Sequence, residues 1–200
     1  MPLGAHKAAI MGTSGVSTGD VVLLQSESFT EETTVSFTSG ITSTYGEYIF
    51  KFYNINPETD GAHLTFQVNA TDGADYDDSA ITSTFFVAYH SEDAAQAALS
   101  YDGGKDQQQG TAFQGFGYNV GSGADESVSG EMHLFNPAST TYVKHFYCHA
   151  VSYDEGNTTA GRAWDGFTAG YINDTTAIDD IQFKMSSGNF DGTIKMYGVG

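Results

Sequence analysis

One cysteine, seven basic residues and no long apolar run are the scarcities of this 200-residue chain. A lone Cys148 cannot close an internal disulfide, and its neighbours Phe146 and Ala150 place it in a strand pattern as a buried, inert thiol. The few lysines and the one arginine are scattered against 25 acids, giving a net charge of −18. A surface this acidic, with no basic patch, repels phosphate backbones and anionic membranes, so neither nucleic acid nor membrane is an expected partner. Salty water, which screens charge over ~8 Å or less, suits such a chain. The apolar run Ala8, Ala9, Ile10, Met11 is too short for a signal peptide or a membrane span. The expectation is therefore synthesis in the cytoplasm and, for an extracellular product, release by lysis. Catalytic signatures are missing too: there is no nucleophile elbow, phosphate loop, HExxH or CxxC. Glycoside hydrolysis needs two suitably spaced carboxylates, and among 25 acids any pairing would be arbitrary. No enzyme is expected.

What the chain has in plenty is glycine (24 residues) and aromatics (14%), arranged as short alternating runs between turns. Tyr48, Phe50 and Phe52 alternate with Ile49, Lys51 and Tyr53, the pattern of a strand with one buried face. Leu64, Phe66 and Val68 alternate with His63, Thr65, Gln67 and Asn69, which predicts a strand wet on one side. Val35 and Phe37, and Val128, Met132 and Leu134, mark further inward faces, and Asn56-Pro57 and Asn136-Pro137 mark turns. The longest pattern, residues 142–153, carries bulk on both faces, so its outer face is expected to meet another subunit. Trp164, Phe167 and Tyr171 break the alternation of the next strand and predict a bulge. One stretch, residues 91–99, has a serine cap, early acids and then alanines, which predicts a helix of about two turns. Ten or more strands without a βαβ rhythm indicate an all-β fold, an antiparallel β-sandwich of jelly-roll type with that one short helix. Residues 1–20 lack any alternation and read as an extended N-terminal arm, with residues 21–200 forming the sandwich domain. Leu3, Ile10 and Met11 are the arm's apolar anchors, and ordering the arm calls for contacts with a neighbouring chain.

Three groups of residues are candidates for chemistry or contact. Asp72, Asp75, Asp77 and Asp78 crowd one glycine-containing loop and could supply oxygens to calcium, although the loop lacks the EF-hand spacing; no other cofactor is expected. His145, Tyr147 and His149 share the second face of the 142–153 strand and are candidate interface residues. The two histidines lie ~13 Å apart along a strand, too far to grip one zinc within a chain. Tyr76, Tyr101 and Trp164 are aromatics that could form a sugar-binding face.

The C-terminal stretch, IDDIQFKMSSGNFDGTIKMYGVG, has two alternating runs around the turn SSGNFDG and reads as a hairpin, with Ile181, Phe183 and Met185 on one face and Ile194 and Met196 inward. It resembles the ending of tailed-phage virion proteins of the marine or cyanophage type, which finish in an SSGN-like turn and a GTIKxYGV strand. The resemblance covers the last 20 residues or so, and the rest of residues 21–200 only in strand rhythm. It implies a non-enzymatic structural subunit of the virion, a tail-fibre or tail-tip module exposed for host attachment. Homotrimeric assembly, attachment to other virion proteins through the arm, and contact with a host surface glycan go with that implication. A head-decoration protein, or a carbohydrate-binding module outside the virion class, is the alternative.

Overall fold

The computed structural model describes residues 20–70, 76, 79–155 and 160–200. The arm with Leu3, Ile10 and Met11, and the acidic loop with Asp72, Asp75, Asp77 and Asp78, lie outside the described residues. Thirteen strands among the described residues build two antiparallel sheets. The larger holds β1 (Val21–Glu32), β3 (Glu47–Pro57), β5 (Ile81–Ser91), β6 (Ala97–Tyr101), β7 (Gln108–Gly110), β9 (Val128–Phe135), β10 (Lys144–Asp154), β11 (Arg162–Ile172) and β13 (Phe190–Val199). Its order is β1-β13-β3-β9-β10-β11-β5-β6, with β7 also on β5. The smaller holds β2 (Val35–Phe37), β4 (Ala62–Ala70), β8 (Gln114–Val120) and β12 (Ile178–Met185) in the order β2-β12-β4-β8. The chain alternates between the sheets from β1 to β5 and again from β12 to β13, the wrapped path of a jelly-roll-like sandwich.

Alternation sets what lies between the sheets. Tyr48, Phe50 and Phe52 of β3, Met132 and Leu134 of β9, Phe183 of β12 and Ile194 and Met196 of β13 are all essentially inaccessible to solvent. Phe183 is a hub. Its ring lies 5.3 Å from Phe50, 5.1 Å from Phe52, 6.1 Å from Phe37 and 6.5 Å from Phe116, mostly edge to face, the arrangement that aromatic quadrupoles favour. Cys148 is fully buried in this core, and burial pushes its thiol pKa well up. Lys144 is buried as well and donates from Nζ to the carbonyl oxygens of Asp174 (3.0 Å) and Thr176.

Several sequence expectations are corrected by the tertiary structure. The helix expected over residues 91–99 is a turn followed by strand β6. Ser91 Oγ donates to Asp93 Oδ1 (2.7 Å) and accepts from the Gln96 amide (2.9 Å), and residues 97–101 pair with β5. Serine and aspartate side chains compete here with helical backbone bonds, and the open edge of β5 captures the alanines. The C-terminal hairpin is not a hairpin: β12 belongs to the four-stranded sheet and β13 to the nine-stranded one, and Gly188, at φ 72°, helps turn the corner between them. No bulge occurs in β11, which pairs in unbroken register with β10 and β5; Trp164 points inward, while Phe167 and Tyr171 occupy outward positions. Bulges or register shifts fall instead in the pairings β1/β13, β3/β13, β3/β9, β4/β12, β4/β8 and β5/β7.

The polar face of β4 is not wet. Thr65, Gln67 and Asn69 are buried because loops fold across the outside of the small sheet. The Gln67 amide donates to the carbonyls of Ser79 (3.1 Å), Thr111 (3.0 Å) and Ala112 (3.4 Å), and Lys184 sits 3.9 Å from the Phe113 ring centroid. Over β4, this outer face of the sandwich is thus covered by the chain's own loops. Across the other, the nine-stranded sheet presents its side chains directly to solvent.

Candidate functional site

Antiparallel register aligns one outward row across the large sheet. Reading from β1 it runs Ser26, Lys195, Lys51, Glu131, His149, Phe167, Phe86 and Tyr101, each directly opposite the next. These residues are scattered over nearly the whole sequence, and only the strand order makes them neighbours. After Ser26 the row has three ionic residues, Lys195, Lys51 and Glu131, and then four rings, His149, Phe167, Phe86 and Tyr101. Lys195 and Lys51 stand opposite each other, a repulsive pairing unless each finds another partner. Lys51 reaches Glu131 at 3.3 Å, and Lys195 lies over the Tyr53 ring at 5.3 Å from its centroid. Beyond Glu131 the rings stack: His149 on Phe167 at 4.7 Å and 26°, then Phe167 on Phe86 at 5.4 Å and 4°.

A second cluster lies beside this row. His133 stacks on Tyr147 at 4.4 Å, hydrogen-bonds through Nδ1 to Glu47, and places Nε2 3.4 Å from Glu131. Burial would raise the pKa of Glu131, but hydrogen bonds from Lys51 and His133 outweigh it and hold that carboxyl below the usual range. Tyr53 titrates above its ordinary value, first through burial and then through its hydrogen bond with Tyr197. Tyr147 does so through burial and the nearby charges of Glu131 and Glu47.

The expected interface residues are placed on this face. His145 is exposed, and Tyr147 and His149 are half-buried. The strand begins at Lys144, so Tyr142 falls in the turn before it, 73% exposed. Among the described residues, the chain buries only the other face of β10, and none of them supplies the expected second covering. Each histidine has a cross-strand partner rather than a shared one: His149 Nε2 meets Asp165 Oδ1 at 2.6 Å, and His145 lies 6.4 Å from the Tyr171 ring.

Tyr76, Tyr101 and Trp164 do not form one face. Trp164 is buried against Tyr89 and Tyr118 on the inner side, Tyr101 is exposed on the edge strand, and Tyr76 hydrogen-bonds Ser36 at the small sheet. The sequence had left Glu131, His133, Val151 and Phe86 unassigned to any site. The signal available for them was a large or charged side chain at an outward strand position.

Two depressions merit comparison. One, of 300 Å³, is lined by Glu31, Asn56, Glu58, Asn189, Phe190 and Asp191 at the end of the large sheet. Its carboxylates are engaged by backbone amides: Glu31 N donates to Asp191 Oδ1 (2.6 Å) and Asn189 N to Glu58 Oε2 (3.2 Å). Among the described residues, no three His, Cys, Asp or Glu side chains are grouped to hold a metal ion. The other, of 430 Å³, is a trough on the outer face. Lys51 and Tyr53 of β3 form one wall, His149 and Val151 of β10 the other, and Ser129, Gly130 and Glu131 of β9 the floor. It exists because β9 carries only a serine there, whose Oγ accepts the Asn54 amide at 3.0 Å beside the shift in the β3/β9 register.

No helix among the described residues is long and apolar enough to cross a membrane. Compared with family models, with curated proteins and with solved structures, the chain gives no match in any of the three.

Proposed function

We propose that this chain is a non-enzymatic structural module that presents one broad sheet face to a partner, and that it serves as a subunit of a tailed-phage virion. Its place there is a tail fibre or tail tip, exposed for host attachment and assembled as a homotrimer. The observation that carries the module reading is the asymmetry of the sandwich. Loops cover the β4 part of the small sheet's outside, while the outside of the large one holds an in-register row of aromatic, histidine and paired ionic side chains. On this face Tyr53, Phe86, Tyr101 and Val151 are each 40% or more exposed, and the three rings give aromatic surface of the kind that dominates recognition interfaces. The virion setting is supported by the C-terminal resemblance, carried here by β12, the corner after it and β13. Mass spectrometry of purified particles that encode this chain, separated into heads and tails, tests the assignment. The expected result is the chain at fixed copy number in the tail fraction. Its recovery only as free protein in the lysate would refute the virion assignment.

A further inference from the structure

In the outer-face trough, each of the two walls has one ring face already occupied. Lys195 caps one face of Tyr53, and Phe167 stacks on one face of His149. Tyr53, beside the shift in the β3/β9 register, and Val151 face each other across Ser129, the β9 residue opposite Val151, while His149 stands one step along opposite Glu131. Adjacent strands lie ~4.8 Å apart, so the β3 and β10 walls stand roughly 10 Å apart across β9. A slot of that width admits one saturated ring in van der Waals contact with both walls, since such contacts form at about 3.5–4 Å.

We infer that this trough binds a single uncharged hexose unit of a glycan. The charged side chains around it are already paired, Lys51 with Glu131 at 3.3 Å and His149 with Asp165 at 2.6 Å. An ionic ligand would have to break one of these pairs, and an anionic one would also meet a chain of charge −18. A neutral polyol separates no charge: its hydroxyls donate to the remaining carboxylate lone pairs and accept from the Lys51 ammonium and other donors at the rim. The face of Tyr53 and the methyls of Val151 meet the ligand's C–H surfaces, and the ionic groups and His149 meet its hydroxyl edge.

The inference rests on the outer face being the recognition surface, not on the virion setting. Calorimetric titration of the full chain with homo-oligosaccharides of glucose, galactose, mannose and N-acetylglucosamine tests it. Saturable binding of at least one is expected at millimolar affinity or tighter. Tyr53→Ala and Val151→Asp, both at exposed positions, should each weaken it at least tenfold. Leu99→Ala, on the edge strand outside the trough, should leave it unchanged. Absence of binding to all four, or equal binding by the two trough variants, would overturn the proposal. So would concentration-dependent self-association abolished by Val151→Asp, which would make the trough a contact between copies. A chain that binds hexose but is missing from particles refutes the virion assignment alone. A chain present in particles that binds none of the sugars refutes this inference alone.

Discussion

Acid should destabilise this protein through one identifiable histidine. His63 opens the outward face of β4, where its Nδ1 accepts the backbone N–H of Asn119 at 3.0 Å and its ring packs 5.1 Å from Tyr118. Protonation of Nδ1 would destroy that acceptor. Burial first, and the positive charge of Lys105 second, lower its pKa from 6.5 to about 4. The unfolded chain therefore takes up a proton near pH 6.5 that the folded chain refuses until about 4. Between those values the unfolded state holds more protons, so stability is full above pH 6.5 and falls as the pH drops through the window. At about 1.36 kcal/mol per pH unit the gap is worth roughly 3 kcal/mol, and part of the ring sees solvent, which trims it to about 2. His63→Asn keeps a side-chain acceptor but does not titrate. Urea melts of both proteins at pH 7.5, 5.5 and 4.5 separate this histidine from the many carboxylates, whose contribution is common to both. The expected result is an excess loss of about 2 kcal/mol in the unsubstituted chain by pH 4.5. Parallel pH dependence of the two would refute the assignment of a neutral, acceptor His63.

The core and the thiol give two further tests. Phe183→Ala removes the ring that Phe37, Phe50, Phe52 and Phe116 surround, and should cost about 4–5 kcal/mol in denaturant unfolding, the upper part of the range for buried phenylalanine. A loss below about 2 kcal/mol would show that the sheets close over the gap. Cys148 should stay unreactive to a thiol reagent in the native protein and react fully in denaturant; prompt native labelling would contradict its burial.

Alternation in the sequence was a dependable guide wherever one face of a strand is buried. Tyr48, Phe50 and Phe52, or Ile181, Phe183 and Met185, show their inward side by period alone, because pleating sends successive side chains to opposite faces. The same rule misled where the outer face is covered as well. Thr65, Gln67 and Asn69 look solvated by type, yet loops distant in sequence bury them and satisfy the Gln67 amide. Phe167 and Tyr171 looked like a broken pattern because the rule allows large apolar groups on one face only; here both faces of β11 carry aromatics and the register is regular. Residues 91–99 have helical propensity, worth tenths of a kcal/mol per residue, which the pairing of β6 with β5 overrides.

What the sequence by itself determined, then, is class and facing: an all-β chain, strongly acidic, with most inward residues identifiable one strand at a time. What only the tertiary structure decided is adjacency. Whether β12 turns back on β13 or crosses to the other sheet depends on which edges each strand finds open, and local period carries no record of that. The trough draws on residues 51 and 53, 129 and 131, and 149 and 151, joined by the β3-β9-β10 register. Alternation tells each of these side chains which way to point. Its neighbours are chosen by hydrogen-bonded pairing between segments far apart in the chain, and that choice is made by the whole core at once.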